Sequence, residues 1–235
     1  MGALLLLWDI DHTLTENNGV NKETYALAFE MLTGQPPQHR ARTDGRTEPE
    51  IMRDMLARHG MEASPGQMAR VPGALEAATL ANVPQLRERG CELPGARSAL
   101  AAFQAMPGVV QSVLSGNIWP DAVAKLAAFG LDGFMDFEAG GYGSDHEHRP
   151  ALVAVAQQRA AARYGAAFTA VNTVLVGDTP RDVRAGREGG ARVVAIATGS
   201  DDAGSLRAEG ADIVLPDLRD TAAVVAAVTS LAAQG

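Results

Sequence analysis

The sequence predicts an α/β fold, a doubly wound parallel sheet of Rossmann-like kind carrying an inserted α-helical segment, and three observations predict it. Short, continuous apolar runs recur along the chain, as strands buried on both faces of a parallel sheet require. Stretches with helical periodicity follow these runs, giving the strand–helix alternation of a doubly wound core. Between Asn18 and Gly90 no strand-like run occurs, and three amphipathic stretches stand there instead.

The first run, residues 3–8, is continuous rather than alternating and ends at Asp9. Later runs at 109–114, 173–176, 192–197 and 212–215 read as the remaining strands. Helices are expected at 121–129 and 151–164, stopped by Gly130 and Gly165 in the usual C-terminal position. Another begins at Thr179-Pro180, where Thr179 can cap and Pro180 suits the first helical position. The last spans 218–232. Residues 23–32, 48–59 and 67–89 read as helices of the insert, with Pro72 or Pro84 as break points in the third. An insert of this length exceeds what a crossover needs. The expected division is therefore an α/β core of residues 1–15 and 91–235 and a helical cap of residues 16–90.

Composition narrows the function. The 235 residues are 46% hydrophobic and include only 25 Gly and 12 Pro, which excludes a mainly disordered chain. A net charge of −8 without a basic stripe gives no nucleic-acid surface. The run at 3–8 is too short to span a bilayer and lacks a basic flank and a cleavage site, so no membrane association is expected. One cysteine, Cys91, forms no internal disulfide and reads as a packed or idle thiol, and the cytoplasm is the expected compartment. A monomer or homodimer is expected.

In open α/β sheets, ligands bind outside the carboxyl ends of the strands. Three runs end there in polar residues: Asp9-Ile10-Asp11-His12-Thr13, Ser115-Gly116-Asn117, and Gly177-Asp178-Thr179-Pro180-Arg181-Asp182. Together with Arg149 before the third group, they resemble the haloacid dehalogenase superfamily, in particular its phosphoglycolate-phosphatase-like members with a helical cap between the first two motifs. The Arg46-Thr47 stretch is similar to a cap segment of those members.

A phosphoryl group in transfer is a dispersed negative charge, so a carboxylate approaches it only if a cation offsets the repulsion. Asp9 and Asp178 offer hard oxygen ligands for Mg²⁺, and the resemblance adds the backbone carbonyl of Asp11. Asp9 is the expected nucleophile, forming an aspartyl-phosphate. Asp11 is the expected acid that protonates the leaving oxygen and then the base that activates water. Ser115, the backbone around Gly116 and Asn117, and Thr13 are expected at the phosphoryl oxygens, with Arg149 adding a fixed positive charge. Asp182 reads either as a group ordering metal waters or Arg149, or as an ordinary acid in the first turn of a helix.

The family more often has lysine where Arg149 stands and glycine where His12 stands. Lys125, on the helix after the second motif, reads as a solvated side chain, and His12 as structural. Asp145-His146-Glu147-His148 reads as a solvated loop, and Ile51, Met52 and Met55 as the apolar side of an insert helix. Arg46 reads either as a contact to a substrate carboxylate or second phosphate, or as part of a surface turn over Thr43-Asp44-Gly45-Arg46.

The expected activity is Mg²⁺-dependent hydrolysis of a small phosphorylated metabolite. A phosphomutase shares these core residues. A 2-haloacid dehalogenase needs neither a metal nor an acid in the place of Asp11. A binding protein on the same fold is disfavoured because no core charge is missing.

Overall fold

The computed structural model of the protein describes residues 3–43 and 45–233, so Asp44 of the expected turn lies outside the described residues. Along the chain run β1 (Leu4–Trp8), β2 (Thr15–Glu16), α1 (Val20–Thr33), α2 (Glu48–Arg58), α3 (Pro65–Met68), α4 (Val71–Arg89) and β3 (Cys91–Glu92). They continue with α5 (Ala96–Gln104), β4 (Val109–Ser115), α6 (Trp119–Ala128), β5 (Gly141–Tyr142), α7 (Arg149–Tyr164) and β6 (Thr173–Gly177). The chain ends through α8 (Pro180–Gly189), β7 (Arg192–Ile196), α9 (Ala203–Glu209), β8 (Ile213–Leu215) and α10 (Thr221–Ala232).

Six strands form one sheet in the order β5-β4-β1-β6-β7-β8, and every pairing is parallel. From β1 the chain moves outward through β4 to β5, then returns to the other side of β1 at β6. That reversal puts the crevice at the carboxyl ends of β1, β4 and β6.

The continuous apolar run of β1 divides by the two-residue period of a strand. Leu4, Leu6 and Trp8 face a core shared with Leu100 and Phe103 of α5, Leu126 of α6 and Val228 of α10. Leu5 and Leu7 face the opposite core with Leu152, Val153 and Ala156 of α7. Fully burying a leucine side chain contributes roughly 1.5–3 kcal/mol, so this one strand anchors both layers.

The insert gathers most of a further apolar cluster, in which Tyr25, Phe29, Ile51, Met52, Met55, Leu56, Val71 and Leu75 meet Ile118 from just beyond β4, as expected for the apolar side of the second insert helix. Its third stretch breaks ahead of Pro72, which lies in the first turn of α4, whereas Pro84 sits inside that helix without ending it. Several elements escape the sequence reading, among them α5, β5 and the β2–β3 pair. Helix α5 precedes β4, and β2 pairs antiparallel with β3, so the strands where the chain enters and leaves the insert are tied to each other. Cys91 lies on β3 and is exposed rather than packed. Among the described residues no helix is long and apolar enough to cross a membrane.

Candidate active site

The chain leaves β1 at Asp9 and turns sharply. His12 takes a left-handed backbone (φ 62), its N–H donates to the Thr15 carbonyl at 2.7 Å, and its own carbonyl accepts from Thr198 Oγ1 at 2.5 Å. The turn brings both Asp9 and Asp11 to a cavity of about 410 Å³. Glycine at the position of His12 would take this conformation without strain, which accounts for the family preference.

At the end of β6, Asp178 is buried, and its Oδ1 accepts from Thr13 Oγ1 at 2.9 Å. Thr13 is fully buried and absent from the cavity wall. The expectation of Thr13 at the phosphoryl group is therefore corrected: a hydroxyl committed to Asp178 fixes that carboxylate instead. Gly199 lies so close that a Cβ there would stand 2.0 Å from Asp178 Oδ2.

Helix α8 starts on a reciprocal cap. Thr179 Oγ1 accepts from the Asp182 N–H, and Asp182 Oδ2 accepts from the Thr179 N–H at 3.0 Å. The other oxygen, Asp182 Oδ1, accepts from Arg149 Nη2, which also donates to Asp9 Oδ1 at 2.7 Å. Asp182 thus caps α8 with one oxygen and contacts Arg149 with the other. Arg149 Nε is buried and has no partner among the described residues.

Oxygen atoms of Asp9, Asp178 and Asp182 lie within 4.8 Å of one another, and all three residues are buried. Burial, with repulsion from Asp182, pushes the Asp9 carboxyl up to about 7 against the pull of Arg149. Burial and the same neighbouring carboxylates hold Asp178 well above its ordinary value. A site of three carboxylates and one guanidinium is short of positive charge, and a hard cation would complete it. Asp182 already has partners on both oxygens, which leaves Asp9 and Asp178 as the side chains with room for an ion.

Asp11 differs. Burial would raise its pKa, but the Lys125 ammonium and the amide of Asn21 outweigh burial and hold it below the usual range. Lys125 Nζ donates to Asp11 Oδ2 at 2.9 Å and to Asn117 Oδ1 at 2.5 Å, with its side chain only 5% exposed. The expectation of a solvated Lys125 is overturned: residues 121 and 125 share one face of α6, and that face turns inward, with Asp121 fully buried as well. An inward ammonium demands a partner, and a polar group four residues from Asp121 on an otherwise amphipathic helix was the available signal.

Ser115 Oγ accepts from Asn117 Nδ2 at 2.6 Å. Ser115, Gly116 and Asn117 line the cavity, as do Asn21, Lys22, Tyr25 and Arg46 from the insert. The insert reaches the core at close range here. The Glu48 N–H donates to the Gly116 carbonyl at 2.7 Å, Arg149 Nη1 donates to the Gly45 carbonyl at 3.2 Å, and a Cβ on Gly116 would stand 2.2 Å from the Arg46 carbonyl. The Arg46 guanidinium lies 3.5 Å from Glu50 and 3.9 Å from Asp54. Residues 145–148 are exposed, as expected of a solvated loop.

Fold and site define an α/β protein whose carboxylate centre opens outside the strand ends beneath a helical insert. Residues 149–221 match the family model described as HAD-hydrolase-like. A hydrolase from Pseudomonas syringae superposes with a TM-score of 0.70 at 21% identity, over 96% of this chain and 99% of that one. A predicted phosphatase from Clostridium acetobutylicum gives 0.69 at 11% identity, over 96% and 99%. A predicted phosphoglycolate phosphatase from Haemophilus somnus gives 0.65 at 16%, over 95% and 98%. No curated protein matches the chain. The chain is thus similar to the haloacid dehalogenase-like hydrolases over residues 149–221 and shares the fold of these structures along nearly its whole length.

Proposed function

We propose that the protein is a Mg²⁺-dependent phosphatase of small phosphorylated metabolites, with Asp9 as nucleophile and Asp11 as general acid and base. The observation that carries this reading is the state of Asp9. Arg149 holds its Oδ1, while Oδ2 has no hydrogen bond among the described residues and belongs to a side chain on the cavity wall. A carboxylate fixed by one oxygen with the other free is arranged for in-line attack.

Asp9, Asp178 and the Asp11 carbonyl would hold the ion, whose charge offsets the repulsion between carboxylate and phosphoryl group. Asp9 attacks phosphorus, and the ester oxygen leaves as Asp11 gives it a proton, which Asp11, ionised beside Lys125 in the free site, takes up as the phosphoryl charge enters. Asp11 then takes a proton from water, which opens the aspartyl-phosphate. The Ser115 hydroxyl, the Gly116 backbone N–H and the unpartnered Arg149 Nε supply donors for the phosphoryl oxygens, with the Asn117 N–H turning to them from its 3.3 Å bond to Ser115 Oγ. Residues 16–90 act as a cap over the core formed by 1–15 and 91–235, and Arg46 on that cap contacts the leaving group. A cavity of about 410 Å³ suits a small metabolite. The presence of Asp11 and Asp178 disfavours the dehalogenase.

Phosphate release across a panel of phosphorylated metabolites, with and without Mg²⁺, tests the reading. Release that stops when the metal is chelated is expected. Full activity under excess chelator, with chloride release from a haloacid, would replace the phosphatase by the dehalogenase.

A further inference from the structure

Lys125 is the buried cation that the proposed reaction has not used. Its side chain is 5% exposed, and a buried ammonium is costly unless its donors are met. They are met by two groups of the site. Nζ donates to Asp11 Oδ2 and to Asn117 Oδ1, while Asn117 Nδ2 donates to the same Asp11 Oδ2 at 3.2 Å, so the three side chains close a ring. On the other side of the carboxylate, Asn21 Nδ2 from α1 donates to Asp11 Oδ1 at 2.8 Å.

We infer that Lys125 is a positioning residue: it fixes the Asp11 carboxylate from the core side and, by setting the orientation of the Asn117 amide, aims the Ser115 hydroxyl. The second half follows from donor chemistry. An ammonium has donors only, so Asn117 must turn its oxygen toward Lys125 and its NH₂ toward Asp11 and Ser115. Ser115 Oγ then accepts at 2.6 Å from Asn117, which leaves the hydroxyl proton free to donate elsewhere. Without the ammonium the Asn117 oxygen loses its donor, only the 3.2 Å bond to Asp11 still favours that orientation, and Asp11 loses one of its two donors on Oδ2.

The inference rests on the phosphatase reading, and the test separates the two. Wild type, Lys125→Met and Lys125→Arg are assayed with Mg²⁺ on an alkyl phosphate and an aryl phosphate. The alkyl leaving group needs the proton that Asp11 delivers, and the aryl one needs little. Misplacing a reacting group by about 1 Å costs on the order of 10²-fold. Lys125→Met is therefore expected to lower kcat on the alkyl ester by about 10²-fold and on the aryl ester far less, with Lys125→Arg recovering part of the alkyl rate.

The alkyl-to-aryl ratio within one preparation does not depend on how much of a variant folds. A role confined to stability leaves that ratio unchanged, and an unchanged ratio overturns the inference while leaving the phosphatase standing. If Lys125→Met yields no folded protein, the ratio in Lys125→Arg and Lys125→Gln decides on the same terms. No turnover of either ester by wild type overturns the phosphatase reading, and this inference with it.

Discussion

Arg149 serves Asp9 and Asp182 through a single Nη2 atom, so the candidate nucleophile and the first-turn acid of α8 share one guanidinium. The two carboxylates come from opposite ends of the sequence and meet because β1 and β6 are parallel neighbours. Burial first, and then the repulsion between their charges across the gap that Arg149 fills, hold Asp9 high even with the cation beside it.

Arg149→Ala should both inactivate and destabilise. It strips the partner from two buried carboxylates, a change that costs about 3–5 kcal/mol in such settings. Arg149→Lys should fold but work poorly, since a point-like ammonium placed between the two carboxylates cannot also reach the Gly45 carbonyl, as the second nitrogen of the planar fork does. Urea unfolding midpoints read the first effect and phosphate release the second. A wild-type midpoint in Arg149→Ala would mean the guanidinium does not hold these groups.

Gly199→Ala should act on metal use without replacing a ligand residue. The added methyl would lie 2.0 Å from Asp178 Oδ2, and the loop cannot simply retreat because Thr198 Oγ1 donates to the His12 carbonyl. Displacing a ligand oxygen of this kind weakens metal affinity by roughly 10–100-fold. The Mg²⁺ concentration for half-maximal activity should rise accordingly, and an unchanged value would remove Asp178 from the ion site.

Away from the cavity, Asp121 carries a pH-dependent cost. Its Oδ2 accepts from Thr79 Oγ1 at 2.6 Å, and Glu48 and Lys125 are its charged neighbours, with Glu76 beyond. Burial pushes it up to about 6, although the Thr79 hydroxyl and Lys125 oppose that, and Glu48 is also raised by burial and by Asp121. A carboxyl raised on folding binds its proton more tightly in the native state, so the stability it contributes is present at acid pH and is lost as pH rises from about 4 through 6. Asp121→Asn keeps an acceptor for Thr79 and removes the charge. The variant should gain on wild type by up to about 3 kcal/mol at neutral pH and by little near pH 4, as two pKa units imply. Urea midpoints that differ equally at both pH values would contradict this.

The fold was legible because β1 states it twice, once as an apolar run and once as the Asp9-x-Asp11 pair that ends it. Helix stops at Gly130 and Gly165 and the cap at Thr179 are local signals, and the structure keeps each of them. Lys125 was not legible, because its partner Asp11 lies 114 residues away and only the tertiary fold joins them. Thr13 failed for a related reason: spacing puts it beside the site, but its hydroxyl is taken by Asp178 from the far end of the chain. The β2–β3 pair is two residues long on each strand, below what periodicity can reveal.

Asp11→Asn separates the nucleophile from the acid and base. An amide neither protonates an alkoxide nor takes a proton from water, so both halves of the reaction should slow by roughly 10²–10⁴-fold for an alkyl phosphate. The fold should tolerate the change, because Lys125 keeps Asn117 Oδ1 as a partner and the new amide oxygen can still accept from Asn21 or Asn117. With an aryl phosphate the first step needs little protonation and should be largely spared. Attack by Asp9 then outruns hydrolysis of the intermediate, and the variant should release about one phenol per enzyme in a burst before a slow steady rate. Mass spectrometry should place one added phosphoryl group on the peptide that contains Asp9. Equal steady rates for wild type and variant, or the label on Ser115, would mean that the nucleophile and the acid are other residues.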